Sequence, residues 1–310
     1  MDLATSRPKT KLSSAMARPA LASVLELLKP ITWFPPMWAF GCGAVSSGQS
    51  LTGRWPVLLA GIALTGPLVC AASQAVNDWF DRHVDAINEP NRPIPSGRIP
   101  GRWGLIIALA WTVLSLLLGA TLGSWVLSAT VVGLLLAWAY SAPPLRLKQN
   151  GWWGNAAVAL SYEGLAWVTG AAVMIAGALP ASKVLLLAGL YSAGAHGIMT
   201  LNDFKSVEGD TRMGIRSLPV QLGVDNAGRV ACAFMALSQV VVVALLVSWG
   251  RPIHASLVTL LLIAQLVLMV RLLQSPRERA TWYSGTGVTL YVIGMLVSAF
   301  ALRPAAVTAA

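Results

Sequence analysis

The chain is written as a series of apolar runs, each about long enough to cross a bilayer, and that limits it to one kind of fold. A spanning helix needs roughly 20 consecutive apolar residues, and inside lipid every backbone N–H and C=O must find its partner within the protein. Such runs fall at about residues 23–47, 55–81, 103–122, 124–140, 153–176, 181–204, 229–249, 254–273 and 282–302. The expectation is an all-α membrane protein with nine transmembrane helices in a single domain over residues 23–302. A basic tail at 1–22, bearing Arg7, Lys9, Lys11 and Arg18, is expected to be disordered and cytoplasmic and shows no small-residue cleavage site of a signal peptide; a short tail occupies 303–310. Pro30, Pro35 and Pro36 make the first span kinked or late-starting.

Composition agrees with this reading and narrows the partners. Hydrophobic residues make up 56% of the chain and charged residues 11%, with a mean hydropathy of +0.67, so a soluble domain is excluded. A formal net charge of +10 could suit nucleic acid, but the basic residues lie between apolar runs rather than along one soluble face, and no nucleic-acid partner is expected. Membrane lipids and orientation explain them better. With nine spans and a cytoplasmic N-terminus, only Arg54, Lys183, Arg251 and Arg303 of the 22 Lys and Arg residues fall outside, as the positive-inside rule requires. Cys42, Cys70 and Cys232 sit within apolar runs and lack CxxC spacing, which supports neither a disulfide framework nor a zinc site.

The acids are not spread along the chain. Asp78, Asp81, Asp85 and Glu89 stand in the stretch Asn77–Gly97, NDWFDRHVDAINEPNRPIPSG, and Asp203, Glu208 and Asp210 in NDFKSVEGD, together seven of the 12 acidic residues. Asn77 and Asn202, Asp78 and Asp203, and Asp85 and Asp210 are each 125 positions apart, so the chain reads as a pseudo-repeat of two halves. On a helix advancing about 100° per residue, Asn77, Asp78, Asp81 and Asp85 share one arc, and Asp203 and Asp210, seven apart, share another. Carboxylates this close repel unless a cation neutralises them, and hard oxygens without thiolates or paired histidines suit Mg²⁺.

Both clusters are expected on the cytoplasmic side, together with the loop YSAPPLRLK, where a Pro pair breaks the helix ahead of Arg146 and Lys148. Mg²⁺ with Arg92, Arg146, Lys148, Lys205 and Arg216 could neutralise a diphosphate whose long hydrocarbon tail lies among the spans, which describes an isoprenoid diphosphate. Each of these cations has the alternative of orienting the protein or touching lipid headgroups. Glu163 lies at membrane depth, where an ionisable group marks a cavity or is held protonated between helices. His196 either ligands or orients an acceptor or makes a helix-to-helix hydrogen bond. Trp33, Trp38 and Trp167 either stack on a flat ligand or pack in the core.

NDWFDRHVD resembles the NDxxDxxxD signature of the intramembrane aromatic prenyltransferases, the UbiA superfamily, and NDFKSVEGD resembles its second acidic motif, with Ser206 where an Asp is common. The longer strings KPITWFPPMWAFGCGAVSSG, DRHVDAINEPNRPIPSGRIPGRWG, YSAPPLRLKQNGWWGN, SYEGLAWVTGAAVM and NDFKSVEGDTRMGIRSLPVQLG resemble the chlorophyll and bacteriochlorophyll synthase branch over residues 23–225. The resemblance implies a UbiA-type bundle of nine helices around a central cavity. It also implies Mg²⁺-dependent transfer of a geranylgeranyl or phytyl group from its diphosphate to the propionate of bacteriochlorophyllide. The metal and catalytic set would then be Asn77, Asp78, Asp81, Asp85, Asp203 and Asp210, with Arg92, Arg146, Lys148, Asn202, Lys205, Glu163 and His196 toward the substrates. The place would be a bacterial intracytoplasmic photosynthetic membrane, with pigment-assembly proteins as candidate partners. Other acceptors of the superfamily, such as chlorophyllide, a quinone precursor, haem or glycerol phosphate, would keep both acidic clusters. A cation-coupled transporter is a further alternative, although its acids usually sit near mid-membrane rather than at span ends.

Overall fold

The computed structural model describes residues 18–303. Residues 1–17 and 304–310, which hold most of the two expected tails, lie outside them. The chain is helical almost throughout. Its elements are α1 (Leu21–Leu28), α2 (Phe34–Ser46), α3 (Trp55–Asn88), α4 (Trp103–Leu122), α5 (Ser124–Ser141), α6 (Gly151–Met174), α7 (Ser182–Asp203), α8 (Val207–Met213), α9 (Leu218–Leu222), α10 (Val224–Ser248), α11 (Pro252–Gln274) and α12 (Pro276–Ala301).

Eight of these, α3 to α7 and α10 to α12, are long and apolar enough to span a membrane, which makes this a multi-pass membrane protein. Their bounds follow the apolar runs closely. The exception is the first run, where the expected ninth span, read as kinked or late-starting, is divided into separate pieces. Lys29 takes a left-handed backbone with φ 47°, Pro30 opens a single 3₁₀ turn over Pro30–Thr32, and Pro35 and Pro36 occupy the first turn of α2. Proline is tolerated at a helix start and disrupts a helix interior, so three of them this close force separate pieces.

Helix α3 has 34 residues and so runs about 51 Å, against about 30 Å of hydrocarbon core. Its polar C-terminal part therefore projects past the lipid tails, carrying Asn77, Asp78, Asp81 and Asp85. Pro67 sits inside it, and the chain accommodates the missing N–H with a π-helical segment, Leu64–Cys70. A second π segment, Leu160–Leu165, lies in α6. Short connections alternate the helices up and down, so the α3–α4, α5–α6 and α7–α10 connections meet at one end of the bundle.

The core is held by close approach of small residues and by hydrogen-bonded aromatic side chains such as Trp167 and Tyr191. A Cβ at Gly43 would lie 2.0 Å from the Trp167 carbonyl oxygen, and one at Gly170 would lie 2.0 Å from that of Phe40, so α2 and α6 touch backbone to backbone. Trp167, fully buried, stacks on Tyr191 with ring centroids 5.6 Å apart and donates to Ser46 Oγ at 2.9 Å. Tyr191 in turn shares a 2.7 Å hydrogen bond with Ser298.

The repeat of spacing is not a repeat of shape. Asp85 continues the straight helix that carries Asp78, whereas α7 ends at Asp203, the chain turns through Phe204–Ser206, and α8 carries Asp210. Asp203 and Asp210 thus lie on two helices, not on one face of a single helix as their seven-residue spacing suggested.

Candidate active site

The acids of α3 divide between two surroundings. Asp78, 1% exposed, accepts from Lys29 Nζ at 2.7 Å and from Arg92 Nη1 at 3.4 Å, and its other oxygen is buried without a partner. Asp85 accepts from Arg92 at 2.9 Å, and Arg92 grips Glu89 with two further bonds of 2.7 Å. Burial works against the charge on Arg92, yet Glu89, Asp78 and Asp85 outweigh it and raise its pKa. Asp81 faces the other way. It pairs with Lys148, lies 3.6 Å from Arg146 Nη2, and accepts from the Asn77 amide at 3.1 Å.

Asp81 opens onto a cavity of about 200 Å³ whose wall also includes Asn77, Lys148, Asn155, Asp203 and Asp210. The two acidic clusters therefore meet in one space. Asn155, on α6, donates to Asp203 Oδ2 at 3.1 Å and to Thr200 at 3.3 Å, which fixes the carboxylate on the end of α7. The connections that frame the cavity are pinned together: Gly151 N–H donates to the Arg216 carbonyl at 2.8 Å and Arg216 N–H to that of Gln149 at 2.9 Å. Burial lowers the Lys148 pKa despite the opposing pull of Asp81, and burial pushes the Asp210 carboxyl up.

A second, larger cavity of about 390 Å³ adjoins the first, sharing Asn77 and Tyr140 with it. Its wall is mostly apolar, with Pro35, Val69, Leu136, Ala157 and Val158, and it takes residues from both π segments. An acidic and cationic chamber opening into an apolar one suits an amphiphile with an anionic head.

The sequence matches the UbiA prenyltransferase family over residues 32–293. The chain belongs to that family. Among curated relatives, it is 60% identical over 285 residues to the bacteriochlorophyll synthase 33 kDa chain of Cereibacter sphaeroides, covering 92% of this chain and 94% of the relative. It is 39% identical to the chloroplastic chlorophyll synthase of Oryza sativa subsp. japonica, covering 89% and 76%. The fold is similar to that of a UbiA homologue from Archaeoglobus fulgidus bound to GPP and Mg²⁺, with a TM-score of 0.66 at 21% identity, covering 88% and 99%. Membership of a prenyltransferase family leaves the transporter alternative without support.

Within this UbiA member the expected site residues separate clearly. Asn77, Asp81, Lys148, Asp203 and Asp210 line the acidic cavity, Ser206 with them, and Asn202 lines the apolar one. Asp78, Asp85 and Arg92 form their own ion cluster beside it. Arg146 reaches Asp81 from the rim. Lys205 and Arg216 are exposed and line neither cavity. His196 makes the helix-to-helix contact, 3.2 Å from the Trp152 carbonyl and stacked on Phe234 at 4.5 Å. Glu163 is buried in the second π segment with one oxygen unpartnered, and it too lines neither cavity. Trp33, Trp38 and Trp167 each donate their ring N–H within the protein.

Three functional neighbours were not assigned from sequence. Lys29, Tyr140 and Asn155 lie within strings that carry the family resemblance, but none was given a role of its own. The last carried a usable signal, since an amide at membrane depth needs a partner.

The donors around the acidic cavity fit Mg²⁺. They are carboxylate and amide oxygens and the hydroxyls of Tyr140, Ser206 and Ser217, with no thiolate or imidazole. Among the described residues no three acidic, His or Cys side chains are close enough to hold an ion by themselves. Mg²⁺ habitually keeps waters and phosphate oxygens beside one or two carboxylates, and an open set of this kind leaves room for them.

Proposed function

We propose that this chain joins a geranylgeranyl or phytyl group, taken from its diphosphate, to the propionate carboxylate of bacteriochlorophyllide. The observation that carries this reading is the junction at Asn77 and Tyr140, where a chamber walled by Asp81, Asp203, Asp210 and Lys148 opens into an apolar cavity. The diphosphate head would lie in the first and the hydrocarbon tail in the second. The 60% identity to a bacteriochlorophyll synthase chain, against 39% to a chlorophyll synthase, supports the bacteriochlorophyll branch. A homologue bound to GPP and Mg²⁺ supports the donor class and the metal.

Asp81, Asp203 and Asp210, with the Asn77 amide, would hold Mg²⁺ together with waters and diphosphate oxygens, directly or through water. When bound, the ion supplies charge stabilisation to the departing diphosphate. Lys148, released from Asp81, and Arg146 would neutralise the remaining head-group oxygens. A propionate oxygen forms the new bond to C1 of the prenyl group as the C1–O bond to diphosphate breaks, and diphosphate leaves with that electron pair. A propionate is already ionised near pH 7, so no general base is needed. The apolar cavity excludes the water that would intercept an allylic cation. In the cell the site would face the cytoplasm from an intracytoplasmic photosynthetic membrane.

Membranes containing the protein are to be incubated with bacteriochlorophyllide, geranylgeranyl diphosphate and Mg²⁺, and the pigments separated by chromatography. An esterified bacteriochlorophyllide is expected, formed faster than the ester of chlorophyllide. Ester from chlorophyllide alone would move the chain to the other branch, and no ester from either would remove the reading.

A further inference from the structure

The apolar cavity carries a polar patch that a prenyl tail leaves unexplained. Gln74 on α3 and Tyr162 on α6 meet on its wall, with Gln74 Nε2 donating to the Tyr162 hydroxyl at 3.0 Å and Cys70 Sγ 3.3 Å from the same oxygen. A hydrocarbon chain has no atom able to hydrogen-bond, so the donor hydrogens that this amide and phenol do not use on each other would lose hydration against it without gaining a further partner. The Gln74 amide nitrogen has two hydrogens and uses one on Tyr162, and the phenol has a proton of its own to donate.

Position gives this patch its meaning. Gln74 stands three residues before Asn77, about 4.5 Å along the helix, and both line the apolar cavity. Asn77 marks the junction with the acidic chamber. With a diphosphate head in that chamber and its tail in the apolar cavity, the reacting carbon would fall near Asn77, and the patch about one helical turn from it. Among the described residues no charged side chain lines the apolar cavity.

We propose that Gln74 and Tyr162 form the subsite that receives the carboxylate of the acceptor, each donating one hydrogen bond to it. The assignment rests on the reading of the reaction as ester formation at a carboxylate. Neutral donors fit that task. A guanidinium or ammonium would hold the carboxylate in a tight ion pair, whereas an amide and a phenol orient it and leave its charge free for attack. They are positioning residues for the acceptor, separate from the groups that hold the donor.

Steady-state kinetics on detergent-purified enzyme tests this, with bacteriochlorophyllide and geranylgeranyl diphosphate varied in turn. Tyr162→Phe and Gln74→Leu are each expected to raise the acceptor KM about tenfold while the donor KM stays within about twofold. Gln74→Glu, which sets a like charge against the carboxylate, is expected to raise it further. Because Gln74 and Tyr162 lie on different helices, the Gln74 variants carry the test if Tyr162→Phe does not accumulate in the membrane. Wild-type enzyme that forms no ester would overturn the reaction assignment itself. Wild-type turnover with an acceptor KM unchanged in the variants, or with the donor KM rising in parallel, would overturn the subsite.

Discussion

Asp78 and Asp81 are three residues apart on the same helix, yet they have different partners. Asp78 is enclosed by Lys29 and Arg92, so Asp78→Ala would leave two cations facing a buried gap. The expected cost is on the order of 2–4 kcal/mol, since both cations are a quarter exposed, read as a lower melting temperature in detergent. Asp81→Asn and Asp203→Asn should instead keep the fold and lower kcat by about 10²–10³-fold, the size of loss seen when one group stabilising a departing charge is removed. Lys148 adds a pH dependence. Its ammonium is charged below its pKa and neutral above it, and burial has lowered that pKa. Donor KM should therefore climb in alkaline solution at a lower pH than for an ordinary lysine, and Lys148→Arg should remove the climb; KM for the donor measured across pH checks both. At this scale the sequence indicated the cluster but not its division. An arc of about 100° per residue places Asn77, Asp78, Asp81 and Asp85 together, but Lys29 and Arg92, which draw Asp78 and Asp85 aside, arrive from elsewhere in the chain. No periodicity within α3 could report them.

Elements were more legible than residues, because hydropathy and proline act locally. The run 103–122 is α4 to the residue, whereas three prolines announced a first span kinked or late-starting, and the structure goes further and divides it. The turn at Phe204–Ser206 was not announced, since no proline or glycine marks it. It nonetheless delivers Asp203 and Asp210 to one chamber from two helices. The contact of α2 with α6 sets the wall beside the apolar cavity, and its tightness was hidden in glycines that sequence alone leaves equivalent to all the others. A side chain at Gly43 must displace the Trp167 carbonyl, so Gly43→Leu is expected to destabilise the protein by about 3 kcal/mol or more. Thermal unfolding followed in detergent should register this, while Gly41→Leu, with open space at its Cβ, should change little.

The molecule as a whole turns two separate stretches of sequence into one site. The count of crossings put both acidic clusters at the same end of the bundle, and the structure brings Asp81, Asp203 and Asp210 around one cavity of about 200 Å³. An orthogonal bearing on that arrangement comes from Mn²⁺ substituted for Mg²⁺. In the presence of geranylgeranyl diphosphate, electron–nuclear double resonance on the wild-type protein should show phosphorus coupled to a bound Mn²⁺. The coupling should disappear both in Asp81→Asn and in Asp203→Asn, one variant from each cluster. If either variant kept the wild-type phosphorus coupling, the two clusters would not share the head group, and the site would have to be drawn elsewhere.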